Sequence, residues 1–292
     1  MKTILYPILQ KVNAHTRDQN IQFFEEGHKY TIKTDPTSIY TSVTTWNHSH
    51  FPHFDADDII RKMMRGKGWK EGHKYWGQTK EQIKELWNNN KNLVSTAGTD
   101  MHYEIECFMN NPRLEPGYTH KDLQEDYLEQ SFHLDQSFHL LPLDVPLEWK
   151  YFLQYIHDTQ DFKPYRTEWM IYHEDLKLAG SIDMVYENSD GTLNIYDWKR
   201  AKDITAVNNF NKYAITYAIS HLPDSNLWHY ALQLNTYKYI LEEKYEKKIK
   251  ELYLVRLHPD ADQYELISLP NLQKEIHELL EERKNNLQMQ KI

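Results

Sequence analysis

Hydrophobic and polar residues alternate along this chain with two different periods. In residues 166–173, 178–187 and 193–199 the alternation has a period of two, as in β-strands. The letters NSDG at 188–191 separate the second and third segments, and such a turn between alternating runs predicts a β-hairpin. Three consecutive strands are therefore expected in the middle of the chain.

Helical spacing flanks these strands on both sides. Apolar residues recur every three or four positions in five segments, which are 55–90, 95–110, 120–160 (interrupted by Pro142 and Pro146), 226–247 and 271–286. A short hairpin is expected within residues 21–45, and ELYLVRLH at 251–258 is typical of a further strand. This order predicts an α/β fold with a mixed central sheet flanked by helices, behind a mainly helical N-terminal region.

The composition is that of a globular protein. Of the 292 residues, 40% are hydrophobic and 13% are aromatic, which is enough for a sizeable core. No run of about 18 apolar residues occurs, so we expect neither a membrane span nor a membrane partner. Pro7, Gln10 and Lys11 interrupt the apolar N-terminus, which argues against a signal peptide and against secretion.

The single cysteine, Cys107, limits the chemistry further. One cysteine can form neither an intrachain disulfide nor a cysteine-ligated iron–sulfur cluster. We expect a reducing intracellular compartment: the cytoplasm, the nucleoid or a virus-infected cell. The thiol itself is expected to be a small buried group, because Phe108 follows it on a helix.

The charge is acidic overall and basic in one short segment. A formal net charge of −9 argues against tight, sequence-specific DNA binding, because phosphate binding depends largely on Lys and Arg. Residues 61–70 nevertheless read RKMMRGKGWK. Arg61, Arg65 and Lys67, with Trp69 as a stacking surface, could follow a single strand; a solvated helix end would give the same letters.

Two acids and a lysine stand on the predicted hairpin. Asp197 and Lys199 share one face of their strand, and pairing with the preceding strand can bring Asp183 beside Asp197. Two adjacent carboxylates near a core repel unless a cation lies between them, and Mg²⁺ or Mn²⁺ with oxygen ligands would serve. Taken alone, the same letters also describe an ordinary Asp–Lys pair on a surface hairpin.

Other segments offer partners for this pair. His102 on a helix could bind a divalent metal, although a histidine taken alone is more often structural, and this chain has 16 of them. Glu168, between apolar neighbours, is either a further ligand or an acid on an edge strand. Gln233 and Tyr237 share a helix face and could bind a phosphate, or form a polar stripe of an amphipathic helix.

Taken in order, these pieces resemble the RecB-like branch of the PD-(D/E)XK nuclease superfamily. The resemblance covers about residues 95–240 and consists of G-x-x-x-H (98–102), a strand bearing Glu168, G-x-I-D (180–183), D-x-K (197–199) and Q-x-x-x-Y (233–237). The phrase YTSVTTWNHSHF at 40–51 is also similar to the start of stand-alone exonucleases of this branch, such as the mitochondrial genome maintenance exonuclease and related viral and phage enzymes. Ile182 stands where the superfamily name has proline.

The resemblance implies a restriction-endonuclease-like core and a set of site residues. The metal ligands would be His102, Asp183, Asp197 and the Trp198 carbonyl. The catalytic residues would be Lys199, Asp183, Asp197 and Glu168, and Gln233 and Tyr237 would steady the nucleic acid or the lysine. Apart from the resemblance, the further expected nucleic-acid contacts are Arg61, Arg65, Lys67 and Trp69 of the basic segment, with Arg200 and Lys202. The cofactor would be Mg²⁺ or Mn²⁺. The iron–sulfur cysteines of several relatives are absent, so no cluster is expected.

These patterns predict a single nuclease domain over residues 1–292, with an accessory region at 1–94 and the core at 95–292. The expected activity is metal-dependent hydrolysis of DNA by an exonuclease on single strands or ends, in repair, recombination or replication processing. A structure-specific endonuclease and a catalytically lapsed nucleic-acid-binding protein are the alternatives. No G-x-x-x-x-G-K-[ST] motif occurs, so a helicase or another replication or recombination partner would act in trans.

Overall fold

The computed structural model describes residues 4–138, 145–208 and 210–289; the predicted interruption at Pro142 lies outside them. The chain begins with small elements, which are α1 (Ile8–Val12), β1 (Ile21–Phe24), β2 (Lys29–Ile32), β3 (Thr41–Ser42), α2 (Val43–His48) and α3 (Ala56–Arg65). β1 and β2 form the predicted N-terminal hairpin. Ser42 caps α2, because its hydroxyl accepts a hydrogen bond from the Thr45 amide.

The longest helix, α4, is one continuous element from Lys80 to Met109. The expectation of a separate helix that begins near residue 95 is wrong. The helix begins at Lys80 instead. Its N-cap is Thr79, which forms a reciprocal capping box with Gln82. Position 94, where the sequence suggested a boundary between accessory region and core, lies inside this helix. Two further helices follow, α5 (His120–Phe138) and α6 (Leu147–Asp158).

The main sheet is mixed, as predicted. Its strands are β3, β4 (Lys163–His173), β5 (Leu178–Glu187), β6 (Leu193–Lys199), β7 (Ile249–Arg256) and β8 (Glu265–Ser268). The order is β3-β5-β6-β7-β8, and β4 also pairs with β5. The pairs β3–β5 and β6–β7 are parallel, whereas β4–β5, β5–β6 and β7–β8 are antiparallel. The helices α7 (Asn226–Lys244) and α8 (Gln273–Met289) complete the fold.

Two hydrophobic clusters cover the faces of this sheet. One joins strand residues such as Trp169 and Ile195 to α7 and α8. The other joins Met184 and Trp198 to buried residues of α4 and α6. The predicted α/β class, with helices on both faces of a mixed sheet, is therefore confirmed. Within the described residues, no helix is both long enough and apolar enough to cross a membrane.

Cys107 departs from the expectation of burial. Its side chain is exposed on α4, whereas Ile105 and Met109 on either side are buried in the core. The helix turns by about 100° per residue, so a position between two buried ones can still face solvent.

A buried histidine makes stability dependent on pH. His120 is fully buried, with Nδ1 2.8 Å from Thr159 Oγ1 and Nε2 3.0 Å from Tyr186 Oη. Burial lowers the pKa of His120 to about 3. Below about pH 6.5 the unfolded chain binds a proton that the folded chain excludes, so stability decreases as pH falls toward 3.

We therefore expect His120 alone to cost the folded state about 2 kcal/mol at about pH 5 relative to neutral pH. Urea unfolding of wild type and His120→Gln at several pH values measures this. Burial also lowers the pKa of His50 and of His173, so these residues contribute to the pH dependence as well, and the difference in pH slope between the two proteins is the relevant quantity. Equal slopes would contradict the prediction.

Candidate active site

The hairpin strands β5 and β6 separate at the two aspartates. Their backbone pairing runs from Glu187 opposite Leu193 to Met184 opposite Tyr196 and does not continue to Asp183. Beyond this point, Asp183 Oδ2 accepts a hydrogen bond from the Trp198 amide at 3.0 Å. The strands therefore open into a fork, and a carboxylate takes the place of a ladder hydrogen bond.

Three side chains from three elements meet at this fork. His102 comes from α4, Glu168 from β4 and Asp183 from β5. The Nδ1 atom of His102 is 3.5 Å from Asp183 Oδ2 and 3.9 Å from Glu168 Oε1. One potential ligand atom from each residue lies within 4.8 Å of the others. The backbone of Glu168 has a φ of 42°, which is a costly conformation for a residue with a Cβ. Ser181 Oγ holds the Glu168 side chain in the cluster by donating a hydrogen bond to its Oε2 at 3.0 Å.

The Trp198 carbonyl lies 2.9 Å from His102 Nε2. This separation fits a hydrogen bond in which Nε2–H donates and leaves Nδ1 toward the carboxylates. The Trp198 carbonyl oxygen would also be available as a ligand if a divalent cation were bound here. In the hydrogen-bonded arrangement, Trp198 fixes the position of the imidazole.

Asp197 and Lys199 form the second half of the site. Asp197 is 2% exposed, and its Oδ2 is 2.6 Å from Lys199 Nζ. On α7, the side-chain amide of Gln233 donates to Asp197 Oδ1 at 3.5 Å. The ring of Tyr230 lies against the ammonium, with 4.4 Å from Nζ to the ring centroid. The lysine is therefore held by a carboxylate and an aromatic face.

The charges of the site depend on one another. Burial opposes charge on His102, but Asp183 and Glu168 outweigh it and raise its pKa to about 9. Burial raises the pKa of Asp183 and of Asp197, although His102 and Lys199 respectively oppose this. Burial also opposes charge on Lys199, but Asp197 and Asp183 outweigh it, so its pKa is raised and it stays an ammonium. The acidic cluster thus favours a cation.

Tyr237 supports the site from behind. It is 3% exposed, and Gln233 Nε2 lies 3.4 Å from its hydroxyl. Its ring packs on the backbone of Gly180, where a Cβ would lie 2.7 Å from Tyr237 Cε1. The structure thus places Tyr237 beneath Gln233, whereas Gln233 itself reaches the acidic residues.

A groove of about 320 Å³ leads to the cluster. Besides the predicted residues, it is lined by side chains that the sequence did not single out, which are His28 and Tyr30 of the N-terminal hairpin, Ser42, Thr44 and Tyr103. Glu106, one turn after His102, also lines it, and burial together with Glu168 raises its pKa to about 7. Tyr230 could have been found from sequence, because it stands three residues before Gln233 on the same helix.

The remaining predicted nucleic-acid contacts lie outside this cluster. Arg200 donates to Glu148 of α6 at 2.6 Å, and Lys202 Nζ is 3.3 Å from Asp260. Arg61 is 3.3 Å from Asp58, whereas Arg65 and Lys67 are exposed. Trp69 is half-buried and packs on His73 and Trp76. Contact of these residues with nucleic acid stays a prediction.

The donor set fits a hard divalent cation. Carboxylates with one imidazole suit Mg²⁺ or Mn²⁺, and a buried acidic cluster without a cation is costly. Asp197 is the exception among the predicted ligands, because its Oδ2 is already paired with Lys199 while its Oδ1 faces Gln233. His102, Glu168 and Asp183 are therefore the best-placed ligands.

The chain matches a known protein family over most of its length. Residues 74–291 match the family model of the PD-(D/E)XK nuclease superfamily. A search of curated proteins gives no match. Among solved structures, the chain is similar to a protein of Eubacterium rectale named "Putative exonuclease", with 15% identity, coverage of 60% of this chain and 71% of that one, and a TM-score of 0.30. On the family match, which spans most of its length, the chain belongs to the PD-(D/E)XK nuclease superfamily.

Proposed function

We propose that this nuclease is a metal-dependent deoxyribonuclease that hydrolyses phosphodiester bonds with Mg²⁺ or Mn²⁺. One observation supports this most strongly: His102, Glu168 and Asp183 converge beside an Asp197–Lys199 pair at the fork between β5 and β6. The carboxylates supply oxygen ligands, and the lysine supplies a fixed positive charge next to them. Both features promote hydrolysis of a phosphodiester, because each stabilises negative charge that develops on the phosphate.

Each residue has a distinct role in this proposal. A bound divalent cation would lower the pKa of a water and reduce the charge on the scissile phosphate. His102, Glu168 and Asp183 would hold the cation. Asp197 orients Lys199, whose raised pKa makes it a donor, so it positions a water or a phosphoryl oxygen and does not accept a proton. Gln233 holds Asp197 in place, and Tyr237 supports Gln233.

The segment after Lys199 favours a single-stranded substrate. Residues 200–225 connect β6 to α7 and expose several large side chains, among them Phe210 (83% exposed) and Tyr217 (93% exposed). The backbone of Ile215 is fixed to the turn after α2, because its amide donates to the His50 carbonyl at 2.8 Å. Exposed aromatic faces on a fixed segment are suited to stack on unpaired bases. We infer an exonuclease acting on single strands or DNA ends, in repair, recombination or replication processing.

The test of the activity is cleavage of 5′- and 3′-labelled DNA, single-stranded and duplex, linear and circular, with Mg²⁺, Mn²⁺ or EDTA. We expect metal-dependent loss of linear single strands that Asp183→Asn abolishes. Cleavage of circles would instead indicate an endonuclease. Binding without cleavage, and no gain in thermal stability on adding Mg²⁺ or Mn²⁺, would indicate a lapsed enzyme.

The aromatic segment gives a separate prediction. We expect Phe210→Ala with Tyr217→Ala to weaken single-strand binding by about 2–6 kcal/mol, because each of the two stacked bases contributes about 1–3 kcal/mol. Duplex binding should change little. Anisotropy with labelled single-stranded and duplex DNA measures both, and Leu93→Ala, which removes an exposed apolar side chain from α4, is the control. Equal losses for the two DNA forms would contradict a role in stacking.

A further inference from the structure

Two histidines and an aspartate form a connected group where α2 packs on the start of α7. His48 ends α2, His229 lies in the first turn of α7, and Asp224 precedes that helix. The Nδ1 atoms of the two histidines are 3.0 Å apart, and His229 Nε2 is 2.9 Å from Asp224 Oδ1. Phe51 stacks on the His229 ring, with 3.9 Å between ring centroids. These residues belong neither to the proposed metal and lysine site nor to the aromatic segment proposed to stack on bases.

The hydrogen bonds determine where the protons lie. The Asp224 carboxylate can only accept, so His229 Nε2 carries a hydrogen. In neutral His229 the Nδ1 atom is then an acceptor, and His48 Nδ1–H must donate to it. His48 Nε2 remains, and among the described residues it has no hydrogen-bond partner, while the His48 side chain is exposed. The group therefore presents one imidazole nitrogen outward.

His229 lies on the same face of α7 as the residues that reach the active site. His229, Gln233 and Tyr237 are spaced four residues apart on α7, so they form one stripe along it. Gln233 reaches Asp197, and His229 stands four residues, about 6 Å along the helix axis, before Gln233. Lys199 is close enough to lower the pKa of His48. A strand with its scissile phosphate at Lys199 would pass the outward nitrogen of His48.

We propose that His48, held by His229 and Asp224, binds a backbone phosphate of the substrate strand next to the scissile one. The inference rests on the proposed function, because it takes a nucleic-acid strand as the ligand. Protonated His48 donates from Nε2 to the phosphate, and the Asp224 carboxylate stabilises the added charge through His229. Four groups act on His48: His229 on α7, Asp224 before it, Phe51 packed on His229, and Lys199 on β6.

The sign of the pH dependence follows from these neighbours. Burial, His229 and Lys199 lower the pKa of His48, and Asp224 opposes them. Free His48 is therefore mainly neutral at neutral pH, and a bound phosphate favours its protonation. Binding through His48 should strengthen as pH falls. Protonation of the acidic cluster also strengthens DNA binding at low pH, so the informative quantity is the difference between wild type and a His48 variant.

The experiment measures binding of a fluorescent single-stranded oligonucleotide to the full chain in EDTA, across pH and salt. We expect His48→Ala to weaken binding about tenfold at about pH 5.5 and about twofold or less at about pH 8, and to reduce the salt slope at low pH by about 0.7, the value for one phosphate on a single strand. Asp224→Asn should move the His48-dependent part to lower pH, which loss of a purely structural contact would not do. The control is His53→Ala, which removes an exposed histidine five residues after His48.

The outcomes separate this site from the nuclease activity. Equal affinity and salt slope for wild type and His48→Ala at every pH would overturn the phosphate site, even if wild type cleaves DNA. His48-dependent binding by a protein that cleaves nothing would support the phosphate site and overturn the nuclease. Absence of any DNA binding by wild type would overturn both.

Discussion

Replacing Lys199 with methionine should reduce DNA cleavage by about 10²–10³-fold, because it removes the fixed positive charge at the site where negative charge develops. The same change leaves the Asp197 carboxylate, 2% exposed, without its ammonium partner. Breaking a buried ion pair from one side typically costs about 3–5 kcal/mol, so thermal stability should fall as well. Cleavage rates and thermal unfolding of the same preparations measure both effects.

The double variant separates the two effects. Lys199→Met with Asp197→Asn should recover much of the lost stability, since no unpaired carboxylate remains, and should recover none of the activity. Lys250→Ala removes an exposed lysine from β7 and is the matched control. Wild-type cleavage by Lys199→Met would remove this lysine from the mechanism, and equal stability of single and double variants would contradict the ion-pair argument.

Gly180→Ala should reduce both stability and cleavage, although it removes no functional group. The new Cβ would lie 2.7 Å from Cε1 and 2.9 Å from the hydroxyl oxygen of Tyr237, so the ring has to move. Tyr237 is buried and supports Gln233, which holds Asp197. We expect about 1–3 kcal/mol of lost stability from overpacking and about tenfold to 10²-fold slower cleavage from misplaced groups.

Two comparisons test the cause of this effect. Gly68→Ala is the matched control, because a Cβ there meets no atom within 4 Å. Adding Gly180→Ala to Tyr237→Ala should cost little more than Tyr237→Ala alone, since the clashing ring is gone. Fully additive losses would show that the ring contact is not the reason that glycine is needed at this position.

The sequence predicted the elements whose signals are local. The hairpin of β5 and β6 follows from alternation and from the turn at 188–191, and α7 follows from its apolar spacing. The sequence predicted helical segments at 55–90 and 95–110 but missed that residues 80–109 form one helix, because Leu86 and Leu93 in its first half are exposed and the capping box at Thr79 marks its start. The two-residue strand β3 pairs with Leu178 and Ala179, far along the chain, and no local pattern reveals that.

The site could be anticipated as a set of residue types and not as a geometry. Spacing placed Asp197 and Lys199 on one face, and the structure brings their charged atoms to 2.6 Å. The spacing in the sequence could not show that this ion pair occupies one Asp197 oxygen, nor that Glu168 lies with His102 and Asp183 in one cluster. The contact between His48 and His229 joins residues 181 positions apart, so it depends on the packing of α2 on α7.

The exposure of Cys107 makes this chain convenient for spectroscopy. It is the only cysteine of the sequence, so a maleimide dye or spin label attaches at one place without any mutation. The label would sit on α4, five residues after His102 and about 140° around the helix axis from it, which keeps it out of the groove. Partial desolvation of the sulfur and the nearby carboxylates of Glu106 and Glu104 raise the pKa of the thiol, so coupling should be carried out on the alkaline side of neutrality. Such a label would report how α4 responds when DNA or a divalent ion binds.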